Sequence, residues 1–291
     1  MNRLATLGLL LLVTGCAPAF TPAEADVRLV FKVGDSNTPV DAESLAAVKQ
    51  VVEHRLRSAE RVPPFVVETR EPDELVVLTS QANDQQLAEI KDLVTRPGTL
   101  EFALLANSRD HAAVIAAAQA SEAAIDPGDP PQYAWIPLSV DADGKPVEFG
   151  EYGSIAVREM ETDSPTQQEV LVALDRPERR VTDKLLKEAY IDSSFNLTPV
   201  FGFHLNTRGG HLMKRMTASS LPASDGFKRR LGVILDGKLY AAPTINVAVE
   251  SQGVIEGDYP NGELDRMLIC FNAGRLPVPV RFVDDQGAGG E

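Results

Sequence analysis

The pattern that most constrains this chain lies between residues 26 and 105, where hydrophobic periodicity switches between two and 3.6 residues in a fixed order. Asp26 to Val33 alternates apolar and polar positions and is rich in β-branched residues, which predicts a strand. Asp41 to Arg57 places Leu45, Val48, Val52 and Leu56 on one face of a helix. Phe65 to Thr69 and Leu75 to Thr79 read as strands joined by the turn-forming Glu71-Pro72-Asp73-Glu74. Asp84 to Thr95 is a second helix, with Leu87, Ile90 and Val94 on one face. Pro97-Gly98 ends it, and Leu100 to Leu105 is another strand. The order β-α-β-β-α-β predicts a ferredoxin-like base. That fold hosts many activities, so it decides nothing about chemistry.

Beyond residue 106 the pattern changes. Ser108 to Ile125 is Ala-rich and predicted helical, and Asp126-Pro127-Gly128-Asp129-Pro130-Pro131 breaks it. Short strand candidates flank a turn at Asp141-Ala142-Asp143-Gly144, so residues 107–165 read as an irregular insertion. Regular structure returns with a strand at Glu169 to Leu174, a helix at Asp183 to Ile191 and a strand at Val200 to Leu205. Thr207 is placed to cap a helix running to Met216. Leu231 to Leu235 and Leu239 to Ala241 form a hairpin around Asp236-Gly237, a strong turn signal. Asn261 is placed to cap a last amphipathic helix that Gly274 stops. Leu276 to Val283 is a Pro-interrupted strand, hence an edge strand. The expectation is an α+β protein with a ferredoxin-like βαββαβ base at 27–106 and an α+β head at 107–258. Residues 259–283 return to the base, and a flexible Gly-rich tail occupies 284–291.

The N-terminus points to export. Leu4 to Val13 is an almost unbroken apolar run after a single Arg3. It is too short for a spanning helix, which needs about 20 residues, and has the length of a signal-peptide core. Val13-Thr14-Gly15-Cys16 resembles a bacterial lipobox, so residues 1–16 read as a lipoprotein signal with Cys16 as the lipidation site and 17–26 as a tether. Two acyl chains give stable anchoring at about 0.8 kcal/mol per buried CH₂. With Cys16 acylated, Cys270 has no disulfide partner. Its place among Leu264, Met267, Leu268 and Phe271 at helical spacing predicts a buried small apolar residue.

The net charge of −14 opposes binding to nucleic acid. The four His, at 54, 111, 204 and 211, show no metal-ligand spacing, and neither a nucleophile elbow nor a phosphate-binding loop is present. Gly209-Gly210 reads as a tight strand-to-helix turn rather than an anion cradle. The sequence therefore predicts no enzyme, no cofactor and no metal.

The C-terminal third resembles a known family. Asp236-Gly237-Lys238-Leu239-Tyr240-Ala241-Ala242-Pro243-Thr244-Ile245 is similar to the "LDGKV-x-SAP-x-I" hairpin of SecD, the protein-export subunit. Phe203-His204-Leu205-Asn206-Thr207-Arg208-Gly209 resembles its "FTFNSEG", Gly257-Asp258-Tyr259 its "SGNFT", and Ala273 to Val280 its "RAGALPAPV". Earlier, His54-Arg55-Leu56, Leu75-Val76-Val77-Leu78 and Gly98-Thr99-Leu100-Glu101-Phe102 fall in the family's order. The family's opening Gly-rich segment is replaced by Leu29 to Gly34. Its transmembrane helices, which carry the carboxylates associated with proton-driven work, have no counterpart here. The resemblance implies the first periplasmic domain of SecD, and the lipobox at Cys16 implies a lipid tether on the periplasmic side of the envelope. It implies partners among Sec translocon components and unfolded exported polypeptides, with no proton coupling of its own. Candidate polypeptide contacts are Phe201, Phe203 and Tyr240, beside the hairpin residues Asp236, Gly237, Lys238, Ala242 and Pro243. The alternative is a structural envelope lipoprotein that keeps the fold but not the export role.

Overall fold

The computed structural model describes residues 20–35, 40–70, 72–121, 123–140, 145–146, 154–160, 167–193, 197–256, 259 and 262–287. Cys16, the 141–144 turn, Gly257, Asp258 and Asn261 lie outside them. The first half of the chain runs β1 (Val27–Val33), α1 (Ala42–Ser58), β2 (Phe65–Arg70), β3 (Glu74–Thr79), α2 (Asp84–Thr95), β4 (Leu100–Leu105), α3 (Ala112–Gln119), β5 (Tyr133–Pro137) and β6 (Val157–Met160). The second half runs β7 (Gln167–Ala173), β8 (Val181–Thr182), β9 (Leu186–Ser193), β10 (Pro199–Leu205), α4 (Thr207–Ala218), β11 (Leu231–Leu235), β12 (Lys238–Ala241), β13 (Gln252–Ile255), α5 (Glu263–Ala273) and β14 (Val280–Gly287).

The fold is α+β, with a ferredoxin-like base built in a way the local pattern does not reveal. The base sheet has the order β14-β1-β3-β2, all antiparallel. β4 does not join it. After Pro97 and Gly98 (φ +75°) the chain leaves the base, and β4 pairs with β11 and β7 in another sheet. The vacant place beside β1 is filled by β14, nearly two hundred residues later, with Val33 opposite Val280. This corrects the reading of 100–105 as the closing strand of the base. It also corrects the reading of the tail, because the strand continues through Asp284 to Gly287. β14 is an edge strand, but Pro277 and Pro279 lie just before it and not within it.

One face of the base sheet is sealed by α1, α2 and α5. Leu29, Phe31, Val67, Leu75 and Val77 from the strands meet Val48, Val52, Leu56, Ile90, Leu93 and Val94 from the helices, and Cys270 and Leu276 complete the cluster. Asp41 caps α1 by accepting from the Ser44 amide at 2.7 Å, and Asn83 caps α2 in a reciprocal capping box with Gln86. Cys270 is buried, as its helical spacing predicts, and that burial pushes its thiol up to about 11. Part of the expected tether is ordered, since Thr21 and Glu24 cap a short 3-10 turn at Pro22–Glu24 that touches β3.

The head holds two further sheets. One has the order β12-β11-β4-β7-β5, with β6 beside β7 and β8 beside β4. β5 and β6, from the region read as an insertion, are thus strands of this sheet. The other has the order β13-β10-β9. Residues 183–191, expected as a helix, form a single 3-10 turn at Asp183–Leu185 and then β9. Leu186 faces Leu205 and Ala189 faces Phe203 in the β10 register, so pairing with a long neighbour overrides helical propensity. The Ala-rich helix is shorter than expected, at Ala112–Gln119. α4 is capped by Asn206 rather than Thr207, its side chain accepting from the Gly209 amide at 2.9 Å. A Cβ at Gly209 would sit 2.9 Å from the Leu185 Cβ, so this glycine serves close packing of α4 on the preceding turn.

Candidate functional site

The hairpin that carries the family motif sits where base and head meet. Asp236 and Gly237 both have positive φ, +49° and +77°, the geometry a two-residue hairpin turn needs. Asp236 Oδ1 accepts from the Thr99 amide at 2.8 Å, and its own amide donates to the Thr99 carbonyl at 3.0 Å. The turn is therefore stitched to the segment that follows α2. Lys238 is exposed and Leu239 buried beside it.

Tyr240 continues this anchoring. Its hydroxyl donates to Glu263 Oε1 at 3.0 Å, at the start of α5. Glu263 is held in turn by Arg96 at 2.7 and 3.2 Å and by Arg266 at 3.0 Å, and Arg96 also binds Asp92. Burial works against both charges, yet pairing wins: the Glu263 carboxyl is held below its usual range and Arg96 is held above its own. Burial and the nearby carboxylate push the Tyr240 phenol up to about 12. A second anchor lies below, where the fully buried Arg55 donates to the carbonyls of Leu93, Arg96, Pro97 and Gly274. It ties the ends of α2 and α5 together.

Above this neck a cleft of about 920 Å³ opens between the two head sheets. One wall is the continuous stretch Tyr240 to Val247, and the other is Gln252 to Glu256, which contains β13. Phe203, Met213, Thr217, Leu231 and Val233 form its floor. At the rim stand Val140, Val247 and Val254, which are 54%, 67% and 48% exposed. Exposed apolar side chains scattered singly need no explanation, but these three stand around one cleft. Ser139, Arg230 and Gln252 add polar groups to the lining.

The sequence candidates divide. Phe201 is completely buried and packs on Phe271 at 5.3 Å between ring centroids, so it is withdrawn as a surface contact. Phe203 is only 4% exposed and packs on Phe102 at 5.1 Å, but it reaches the cleft floor. The two share a strand face at i and i+2, and that face points between the sheets. Tyr240, Ala242 and Pro243 line the cleft wall. Asp236, Gly237 and Lys238 lie at the turn and do not line it. Sequence reasoning missed Val140, Val247 and Val254, which lie in short stretches with no sustained helical or strand period. His204 lies 3.4 Å from Glu188, and the described residues hold no group of three side chains fit to bind a metal ion.

Residues 157–278 match the family model of the SecDF P1 head subdomain. The SecD protein translocase subunit of Desulfurispirillum indicum is 31% identical over 109 residues, 37% of this chain and 20% of that protein. That of Rickettsia conorii is 28% identical over 95 residues, 32% of this chain and 17% of that protein. The matches thus span about a fifth of the length of these curated relatives. In fold the chain is similar to a solved structure of SecDF, described as a membrane component that enhances protein export, with a TM-score of 0.56, 18% identity and coverage of 88% of this chain and 98% of that one. It is also similar to SecDF in its super-membrane-facing form, with a TM-score of 0.56, 17% identity and coverage of 93% of this chain and 32% of that one. In family model, sequence and fold alike, the chain resembles the SecD family in its first periplasmic domain, with a SecDF P1 head subdomain at residues 157–278.

Proposed function

We infer that this chain is a lipid-anchored, extracytoplasmic SecD-like binding module that assists Sec-dependent protein export by transiently holding unfolded polypeptide. The observation that supports this reading is the head cleft, a mainly apolar slot with a valine rim, most of whose lining lies in the segment that matches the SecDF head. An unfolded chain offers exposed apolar side chains and main-chain polar groups, and a mainly apolar cleft with polar side chains in its lining is complementary to both. Among the described residues no helix is long and apolar enough to cross a membrane. The reading gives this chain a holding role without its own proton coupling. Its partners are Sec translocon components and exported polypeptides, and Cys16 is its lipid attachment.

Holding must be reversible, so affinity is expected to be micromolar or weaker, about −8 kcal/mol or less in magnitude. Titrating the full-length chain in detergent with a permanently unfolded polypeptide measures it. Binding should need neither metal nor nucleotide, and Val247→Asp should weaken it. No binding at high polypeptide concentration would favour the structural envelope lipoprotein instead. Membrane fractionation of Cys16→Ser tests the anchor: a mature, cleaved protein still found in membranes would contradict it.

A further inference from the structure

We propose that the head holds its polypeptide by strand addition, an extended segment pairing its main chain with the free edge of β13 and laying alternate side chains into the cleft. The proposal rests on the reading of the cleft as a polypeptide site and specifies how the polypeptide is held.

The sheet edges of this protein are not alike. An exposed edge is a template for another chain, and proteins blunt edges with charge, proline or short length. β2 ends the base sheet with Glu68 and Arg70, and β14 ends its other side with Arg281 and Asp284. In the head, β9 carries Lys187, Glu188 and Asp192, β12 carries Lys238, β5 ends in Pro137 and β6 carries Arg158 and Glu159. Among the described strands longer than two residues, β13 is the sheet edge with neither charge nor proline: Gln252-Gly253-Val254-Ile255. It pairs with β10 on one side, Phe201 opposite Ile255 and Phe203 opposite Gly253, and ends the sheet on the other.

That bare edge faces the cleft. Successive strand side chains point to opposite faces of a sheet, yet the cleft touches every residue from Gln252 to Glu256. A cavity meets consecutive residues of both faces only along the strand's edge. Gly253 leaves room for the cross-strand Phe203 ring at the cleft floor, since a Cβ there would sit 2.9 Å from it. The opposite wall is braced from behind, with the Leu231 amide donating to Pro243 and the Ile245 amide to Arg229, each at 2.9 Å. The Tyr259 hydroxyl donates to the Ile255 carbonyl at 2.8 Å, which closes the far end of the edge.

The occupant is an extended polypeptide rather than a second copy of this chain. Four residues span about 14 Å. Pairing two such edges would bury far less than the roughly 800 Å² per partner of a stable interface, and would leave the cleft beside them empty.

The test uses the full-length chain in detergent and a labelled ten-residue apolar peptide with no fold of its own, followed by fluorescence anisotropy. A twin peptide carries N-methyl groups on alternate backbone nitrogens, in either of the two registers. Strand addition predicts that one methylated register binds about tenfold or more weakly than the parent. It also predicts that Val254→Lys weakens the parent several-fold and that peptide slows amide exchange at β13. If both methylated registers bind as well as the parent, strand addition fails while capture by the cleft stands. If neither parent nor twin binds, both readings fail. A concentration-dependent dimer abolished by Val254→Lys would make a second copy the occupant and overturn the proposal. Should Val254→Lys misfold, the peptide comparison on the unaltered chain still decides.

Discussion

Base and head use the same ingredients, a sheet with helices against it, and finish differently. The base closes: three helices cover one sheet face, its core side chains are almost wholly buried, and both edge strands carry charges. The head stays open: its main core runs out into a cleft rimmed by exposed valines beside an uncharged edge. A protein gains little stability from leaving apolar surface in water, so the unclosed part is where a binding role belongs. The base then serves as a mount, joined to the head where Tyr240 donates to Glu263, itself held by Arg96, and where the Thr99 amide donates to Asp236.

The contrast breaks first at the mount. Arg55→Met keeps most of the side-chain volume but orphans buried carbonyls of Leu93, Arg96, Pro97 and Gly274. It should cost about 4 kcal/mol in denaturant unfolding. A cost under about 1 kcal/mol would show that Arg55 does not hold base and α5 together. Next come paired truncations. Leu93→Ala in the sealed base core should cost about 3–4 kcal/mol, because the hole cannot collapse or fill. Leu231→Ala on the cleft floor should cost about half as much, since the cleft already admits solvent beside it. Equal costs would mean that the head is packed as tightly as the base.

The smallest effect concerns acid. Glu263 has its folded pKa lowered by Arg96 and Arg266 against the pull of burial. Its contribution is therefore complete above its unfolded value near 4.5, and is lost as pH falls through the lower folded value. Glu263→Gln should cost about 2 kcal/mol at neutral pH, and the difference from the parent protein should shrink as pH drops below that value. A difference that stays constant down to strong acid would remove Glu263 from the neck's electrostatics.

The elements of the base were legible because their signals are local. Helical spacing at Leu45, Val48, Val52 and Leu56 and the apolar, partly β-branched run at Leu75 to Thr79 need no knowledge of the rest of the chain, and α2 falls on Asp84–Thr95 as read. Pairing is another matter. Nothing in Leu100 to Leu105 says that it will desert the base, or that Val280 will take the place beside Val33. Leu186 to Tyr190 has good helix formers and became a strand because β10 lies alongside. The candidate site was half legible: the motif led to Tyr240, Ala242 and Pro243, but Gln252 to Ile255, short and glycine-containing, gave no strand signal. Alternation put Phe201 and Phe203 on one face without telling which face was solvent.

The central claim is that the open part of the head, not the closed base, meets exported polypeptide. Photo-crosslinking in intact cells tests it directly, with a photoreactive residue placed in turn at Val247 and Val254 on the cleft rim and at the exposed Glu43 on the base. The account predicts adducts with precursors in transit from both rim positions and none above background from residue 43. Adducts of equal yield from all three positions, or precursor adducts from residue 43 alone, would contradict it.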